Sequence, residues 1–295
     1  MTTSTQPRGR PEAIRAVPVR HPGRWLAAAV IAVLVAMAVN TLVYNPRFNW
    51  PEQFQYLFAP PVLTAVVNTI WLTAAAMVGG TVFGVVLALM RMSPNPILRA
   101  ASWFYLWVFR GTPLYTQLLI WGAIGALFPT VSLGIPFGPE FVTWQTQALI
   151  SAAIAASVGL ILNEAAYMAE IVRAGILSVD RGQHEASGAL GMTRMQTMRR
   201  IVLPQAMRVI IPPTGNETIA MLKNTSLVAA IPFYELTFAA QNIYARTYQV
   251  IPMLIMAVLW YLALSSILMI GQYYLERHYG RSERTPTVAR DQAGE

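Results

Sequence analysis

Six runs of this chain are long and apolar enough to cross a bilayer: Trp25 to Tyr44, Val62 to Met90, Trp103 to Phe128, Thr146 to Val172, Met207 to Phe233 and Val250 to Leu275. A hydrocarbon core of about 30 Å is spanned by about 20 such residues in a helix. Lipid offers no partner to a backbone N–H or C=O, so a segment that enters it must satisfy all of them internally, and runs of this length do so as helices. The sequence therefore predicts an all-α fold, a polytopic membrane bundle of six spans. A chain that is 55% hydrophobic and 12% charged fits no ordinary soluble domain.

The net charge of +8 raises the question of nucleic acid, but basic residues in a membrane protein report orientation first. Arg8, Arg10, Arg15, Arg20 and Arg24 precede the first run, and Arg91 and Arg99 follow the second. Arg173, Arg181, Arg194, Arg199, Arg200 and Arg208 surround the polar segment after the fourth, and Arg277, Arg281, Arg284 and Arg290 end the chain. The other loops hold only Arg47 and Arg246. With six spans this alternation places both termini and the polar segment in the cytoplasm. Ala36-Met-Ala38 offers a cleavage-like pattern, but the first run exceeds the about 7 to 15 apolar residues of a signal peptide and reads as an uncleaved anchor over 25–44. Residues 1–24 and 281–295 lack apolar periodicity and are expected to be disordered. No internal repeat is present. The second run carries Gly80-Thr-Val-Phe-Gly84, a small-xxx-small face that lets helices approach closely.

The polar segment over 177–204 is patterned too regularly for a spacer. Asp180 stands three residues before Gln183 and Thr193 three before Gln196, the spacing of reciprocal N-caps. Gly191 between them suits a left-handed C-cap. The expectation is a short helix, a glycine hinge and a second helix returning to the membrane near Pro204. Gly182 and the run Ala186-Ser187-Gly188-Ala189 leave the first helix almost bare of bulk, so another protein's surface can come close to its backbone.

Glu185-Ala186, Gly191 and Ile201-x-Leu203-Pro204 also resemble the cytoplasmic "EAA" loop of binding-protein-dependent ABC importer permeases, with Ser187 where alanine is usual. Asn68-Thr69, Phe109-Arg-Gly-Thr-Pro113, Ala166-Tyr167 with Ala169-Glu-Ile171, Pro204-Gln-Ala206 and Leu222-Lys-Asn-Thr-Ser-Leu227 are similar to the histidine- and glutamine-type members. The resemblance covers roughly Pro61 to Tyr274. It implies a type I importer permease domain over 62–275, with a core of five spans following the N-terminal anchor, in a bacterial plasma membrane. It further implies cytoplasmic ATPase subunits docked at Gly182, Glu185, Ala186, Ser187, Gly188, Gly191, Leu203 and Pro204. A second permease subunit, identical or homologous, and an extracytoplasmic binding protein complete the assembly, whose cargo is a polar amino acid or close analogue.

Ionisable side chains inside lipid are costly, at least about 2.5 to 3.5 kcal/mol at a helix centre for Asp, Lys or Arg, and usually face a bundle interior or a wet path. Glu164 lies nine residues before Arg173 and Glu217 ten past Met207, roughly 14 and 15 Å into their helices and so near one level. The expected substrate pathway joins Asn163, Glu164 and Tyr167 on the fourth span to Asn216, Glu217, Lys223 and Asn224 on the fifth, bent by Pro212 and Pro213. Mixed charge suits a zwitterion. The plainer alternative has Glu217 and Lys223 neutralising each other and Glu164 protonated at a helix contact. Glu170 and Arg173, at i,i+3 spacing, read as an interfacial pair.

Lys223 is the only lysine and stands in no glycine-rich phosphate loop. ATP and its magnesium ion therefore belong to a partner, and the chain itself calls for no cofactor. His21, His184 and His278 have no metal-ligand spacing, and there is no cysteine. No nucleophile and base are paired as in an enzyme. The alternatives to an importer permease are a gradient-driven secondary transporter, with a glutamate carrying the proton, and a membrane scaffold that recruits a partner through the polar loop.

Overall fold

The computed structural model describes residues 22–279. The expected disorder of 281–295, and of 1–24 up to residue 21, lies outside them. The described residues fall into two separate compact units, divided after Asn49. In the first, α1 (Pro22–Tyr44) begins three residues earlier than the predicted anchor and is exposed along its described length. Its mean hydropathy is 2.5. A helix apolar all round is what lipid requires. A 3-10 turn, Pro46–Phe48, capped by the Asn45 side chain, ends the unit.

The second unit opens with α2 (Trp50–Leu57) and α3 (Pro60–Met92), followed by α4 (Pro96–Gly111), α5 (Leu114–Gly122) and α6 (Ile124–Leu127). A hairpin of β1 (Thr130–Gly134) and β2 (Glu140–Gln145) leads through α7 (Thr146–Leu149) to α8 (Ala152–Leu177). Then come α9 (Arg181–Ala189) and α10 (Arg194–Thr197), with a π-helical stretch Met198–Val202 running into α11 (Leu203–Asn224). A 3-10 turn Thr225–Ala230, α12 (Leu236–Thr247) and α13 (Val250–Tyr279) complete the order. Among the described residues α1, α3, α8 and α13 are long and apolar enough to cross a membrane on length and composition alone.

The other predicted spans are shaped differently. Trp103 to Phe128 is not one helix: α4 starts at Pro96, capped by Asn95, and ends where Thr112 and Pro113 turn extended. Proline drives the residue before it out of helical geometry and brings no N–H of its own. The fourth run divides at Ile150, and α8 begins where the Ser151 hydroxyl accepts from Ile154 N. The fifth starts at Leu203 and stops at Asn224 rather than Phe233. Pro212 and Pro213 stay within the helix, and Gln272 of α13 donates to Pro212 O at 2.9 Å.

The spine of this unit is α3 against α8. A Cβ added at Gly80 would lie 2.5 Å from Glu164 Cγ, and one at Gly84 2.6 Å from Met168 Cβ and 3.0 Å from Ala169 N. The predicted small-residue face is thus the contact itself. Leu72, Ala76, Leu160, Met168, Ile210 and Met221 build the apolar core around this spine and α11. A second cluster, Val62, Val66, Leu236, Met253 and Met256, joins α3 to α12 and α13. Asn68 and Thr69 serve that junction: Asn68 Nδ2 donates to Tyr234 O (2.8 Å) and Leu236 N to Thr69 Oγ1 (3.2 Å). Glu235 is fully buried as the N-cap of α12, its oxygens accepting from Thr237 N, Phe238 N and the Tyr261 hydroxyl.

Candidate docking loop and intramembrane site

Two short helices project from the end of α8. Asp180 Oδ1 accepts from Gly182 N at 2.7 Å and opens α9. At the other end Gly191 N bonds Gly188 O and Met192 N bonds Ser187 O, with Gly191 at φ +71°. That pair of bonds is the Schellman stop, which sets the left-handed residue that glycine adopts without a Cβ penalty. Gly191 therefore takes the left-handed C-cap position expected for it, between α9 and α10. Thr193 and Gln196 then close the full capping box that starts α10.

Glu185 and Ala186 are exposed, and nothing lies within 4 Å of a Cβ placed on Gly188. Leu190 and Met195 beside them are 81% and 67% exposed, an apolar showing unusual for a loop this polar and fit for a protein surface. Ser187 faces the other way. It is 3% exposed, donates to His184 O and accepts from the Thr197 hydroxyl at 3.1 Å, tying α9 to α10. Leu203 and Pro204 are exposed at the start of α11, directly after the π-helical stretch.

Within the bundle the residues expected to line a pathway separate into groups. Asn163 is buried and donates to Gln117 Oε1 (3.0 Å) and Phe109 O (3.3 Å). Gln117 Nε2 lies within 3.1 Å of Phe109 O, Thr112 O and Thr112 Oγ1. Asn163 thus holds the elbow between α4 and α5 with its amide hydrogens. Lys223 is exposed and forms no ion pair within 4.0 Å; Glu170 with Arg173, at 2.6 Å, is the one such pair among the described residues. Neutralisation of Glu217 by Lys223 is accordingly absent. Asn216 is exposed and Asn224 half-buried.

Glu164 is 2% exposed and its Oε1 has no hydrogen-bond partner. Glu217 lies within electrostatic reach of both Glu164 and Arg110. The Arg110 guanidinium stands 5.5 Å above the Tyr167 ring. Two carboxyls, one guanidinium and one aromatic ring from α4, α8 and α11 thereby share one neighbourhood. Arg110 was absent from the sequence-derived set, although a charge inside a predicted span was signal enough to include it. Nearby, an apolar groove of about 530 Å³ runs between α3, α8 and α11, with Val85, Val172, Met207 and Ile211 on its walls.

Residues 80–281 match the family described as binding-protein-dependent transport system inner membrane component. The chain is 49% identical over 286 residues to the arginine transport system permease protein ArgU of Corynebacterium glutamicum, covering 96% of this chain and 89% of that protein. It is 34% identical to the histidine/lysine/arginine/ornithine transport system permease protein HisM of Salmonella typhimurium, over 76% of this chain and 89% of that one. Among solved structures, an amino acid ABC transporter crystallised with histidines superposes with a TM-score of 0.62 at 35% identity, covering 74% of this chain and 94% of that one. The MetNI methionine transporter, at 22% identity and a TM-score of 0.57 over 74% of this chain and 96% of that one, shares the fold.

Proposed function

The chain belongs to the family of binding-protein-dependent transport system inner membrane components, and from that premise we propose that it carries polar amino acids, basic ones foremost, as the permease subunit of an ATP-driven importer. The observation that carries the reading is α9: bare, exposed and locked at both ends, it offers a rigid backbone surface to a partner. An ATPase subunit seats there against Glu185, Ala186, Gly188 and Gly191, and holds the ATP and magnesium ion. Pulling two such loops together changes access to the path between the spans. Coupling of this kind requires that the cargo bind the two states unequally.

The cargo class rests on the charge of the intramembrane site. Glu164 and Glu217 outnumber Arg110, which leaves one carboxyl for an α-ammonium, one for a cationic side chain and the guanidinium for the α-carboxylate. An unpartnered buried carboxyl oxygen is expensive, so Glu164 gains most from a cationic ligand. The relatives named for arginine, and for histidine, lysine, arginine and ornithine, support this class. The family further supports a second permease subunit, identical or homologous, and a binding protein that delivers the cargo from outside.

Copurification from native membranes tests the docking claim. We expect an ATPase with wild-type protein and its loss with Glu185→Arg in correctly inserted protein; equal recovery with both would overturn it. Uptake of labelled arginine by the assembled transporter tests the cargo claim. Glu164→Gln and Glu217→Gln are each expected to lower it at least about tenfold, the cost of losing one charge-assisted contact. Unchanged uptake in both would remove the site from the path.

A further inference from the structure

The hairpin β1–β2 stands at the opposite end of α8 from the docking loop, and its register sorts its side chains by polarity. Val131 pairs with Trp144 and Leu133 with Val142, while Thr130 pairs with Gln145 and Ser132 with Thr143. Directly paired residues share a face and successive ones alternate. Over the regular ladder one face is therefore Val131, Leu133, Val142 and Trp144, and the other is Thr130, Ser132, Thr143 and Gln145; the register breaks beyond Leu133, leaving the exposed Phe141 unpaired between Glu140 and Val142. The apolar face is uncovered, its members 41% to 64% exposed, and Phe137 at the tip is wholly exposed at φ 64°. An isolated two-stranded ribbon with such a face is marginal in water.

We propose that the hairpin lies in the interfacial layer of the membrane, with its apolar face and Phe137 among headgroups and upper acyl chains and its polar face turned to water. Its base is closed where α6 ends and α7 begins, shortly before α8, since Thr146 N donates to Pro129 O at 3.0 Å and the Thr146 hydroxyl bonds Phe128 O. Strands of five and six residues reach only about 17 to 20 Å from that base. Residues 129–145 contain one ionisable side chain, Glu140. A soluble partner that must find and leave this site would be steered by charge, which is missing here. Four side chains also cover little of the roughly 800 Å² per partner that a stable protein interface buries. Amphipathic aromatic and aliphatic groups at the end of a span are what the headgroup layer accepts.

The inference rests on the membrane assignment and not on the cargo. Because the natural chain has no cysteine, single cysteines at Leu133, Val142 and Ser132 can each carry a fluorescent label in the full-length protein, reconstituted in phosphatidylcholine vesicles. Shallow doxyl lipid is expected to quench the labels at Leu133 and Val142 about twofold more than the one at Ser132, which iodide quenches instead, because neighbouring strand positions face opposite sides. Iodide quenching at all three positions would place the hairpin in water and overturn the proposal. Protection of Leu133 and Val142 from both quenchers would overturn it too, by placing a protein there. A label at Leu34→Cys in α1 is expected to be quenched by doxyl lipid at the bilayer centre; failure there would sink the membrane assignment itself and is thus distinguishable.

Discussion

Asn163 and Gln117 join α8 to the α4–α5 elbow in a buried network with Phe109 O and Thr112 as the remaining partners. Gln117→Leu strands several of these groups together and is expected to cost about 1 to 3 kcal/mol, read as lower thermal stability of the purified protein. Adding Asn163→Leu is expected to cost less than the sum of the single changes, since the second loses a partner already gone; strict additivity would show the two amides to be independent. Ser187 supports a second expectation. Ser187→Ala removes the bond to Thr197 and is expected to cost about 0.5 to 1.5 kcal/mol. ATPase recovery is unchanged, because the serine faces α10 and leaves the exposed side of α9 as it was; loss of the ATPase would place Ser187 in the docking surface itself. Charge and spacing in the sequence singled out Glu164, Glu217 and Gly191, and the resemblance to the importer loop singled out Glu185. The partner of Asn163 was not legible, because Gln117 lies 46 residues away on another helix.

At the scale of elements, the same substitution has opposite consequences at two glycines. In Gly84→Ala the new methyl meets Met168 Cβ at 2.6 Å and Ala165 O and Ala169 N at 3.0 Å, and the backbone of α8 has little room to yield. Overpacking of this kind costs about 1 to 3 kcal/mol. In Gly188→Ala the methyl enters open space, and α9 gains up to about 1 kcal/mol of helix propensity. Thermal melts of the two purified variants are expected to move in opposite directions; a common direction would show that α3 and α8 do not pack as described. This contrast also marks what the sequence revealed. Long apolar runs announced α3, α8 and α13, and small residues at four-residue spacing announced the contact between two of them. The hairpin and α12 left no such mark. Strands of five and six residues in a linker give too short a period to stand out, and α12, at 12 residues with Gln241, Asn242 and Arg246, is held by Glu235 and by packing on α3 and α13.

At the scale of the whole molecule, the arginines divide unevenly among the connections. In the second unit Arg91, Arg99, Arg173, Arg181, Arg194, Arg199 and Arg200 fall in or beside the docking loop and the α3–α4 connection, while Arg246 stands alone in the last turn of α12; in the first unit Arg47 lies in the 3-10 turn after α1. Retention of basic loops in the cytoplasm sets orientation. By that rule the docking loop is expected to face the cytoplasm, where an ATPase has access to it, and the hairpin at the other end of α8 is expected to face outward. Arg110 does not disturb this assignment, because it lies near Tyr167 and Glu217 rather than in a terminal loop. The absence of native cysteine makes the orientation measurable with single substitutions. In intact cells with a permeable outer envelope, Arg47→Cys is expected to react with a membrane-impermeant maleimide, and Gly188→Cys only after the inner membrane is opened. Both positions are exposed in the fold, and reaction of Gly188→Cys in opened membranes stripped of the ATPase subunit, compared with intact cells lacking that subunit, separates the membrane barrier from cover by the partner. The reverse pattern would put the docking helix outside, away from any source of ATP, and would end the importer reading however well α9 is shaped for a partner.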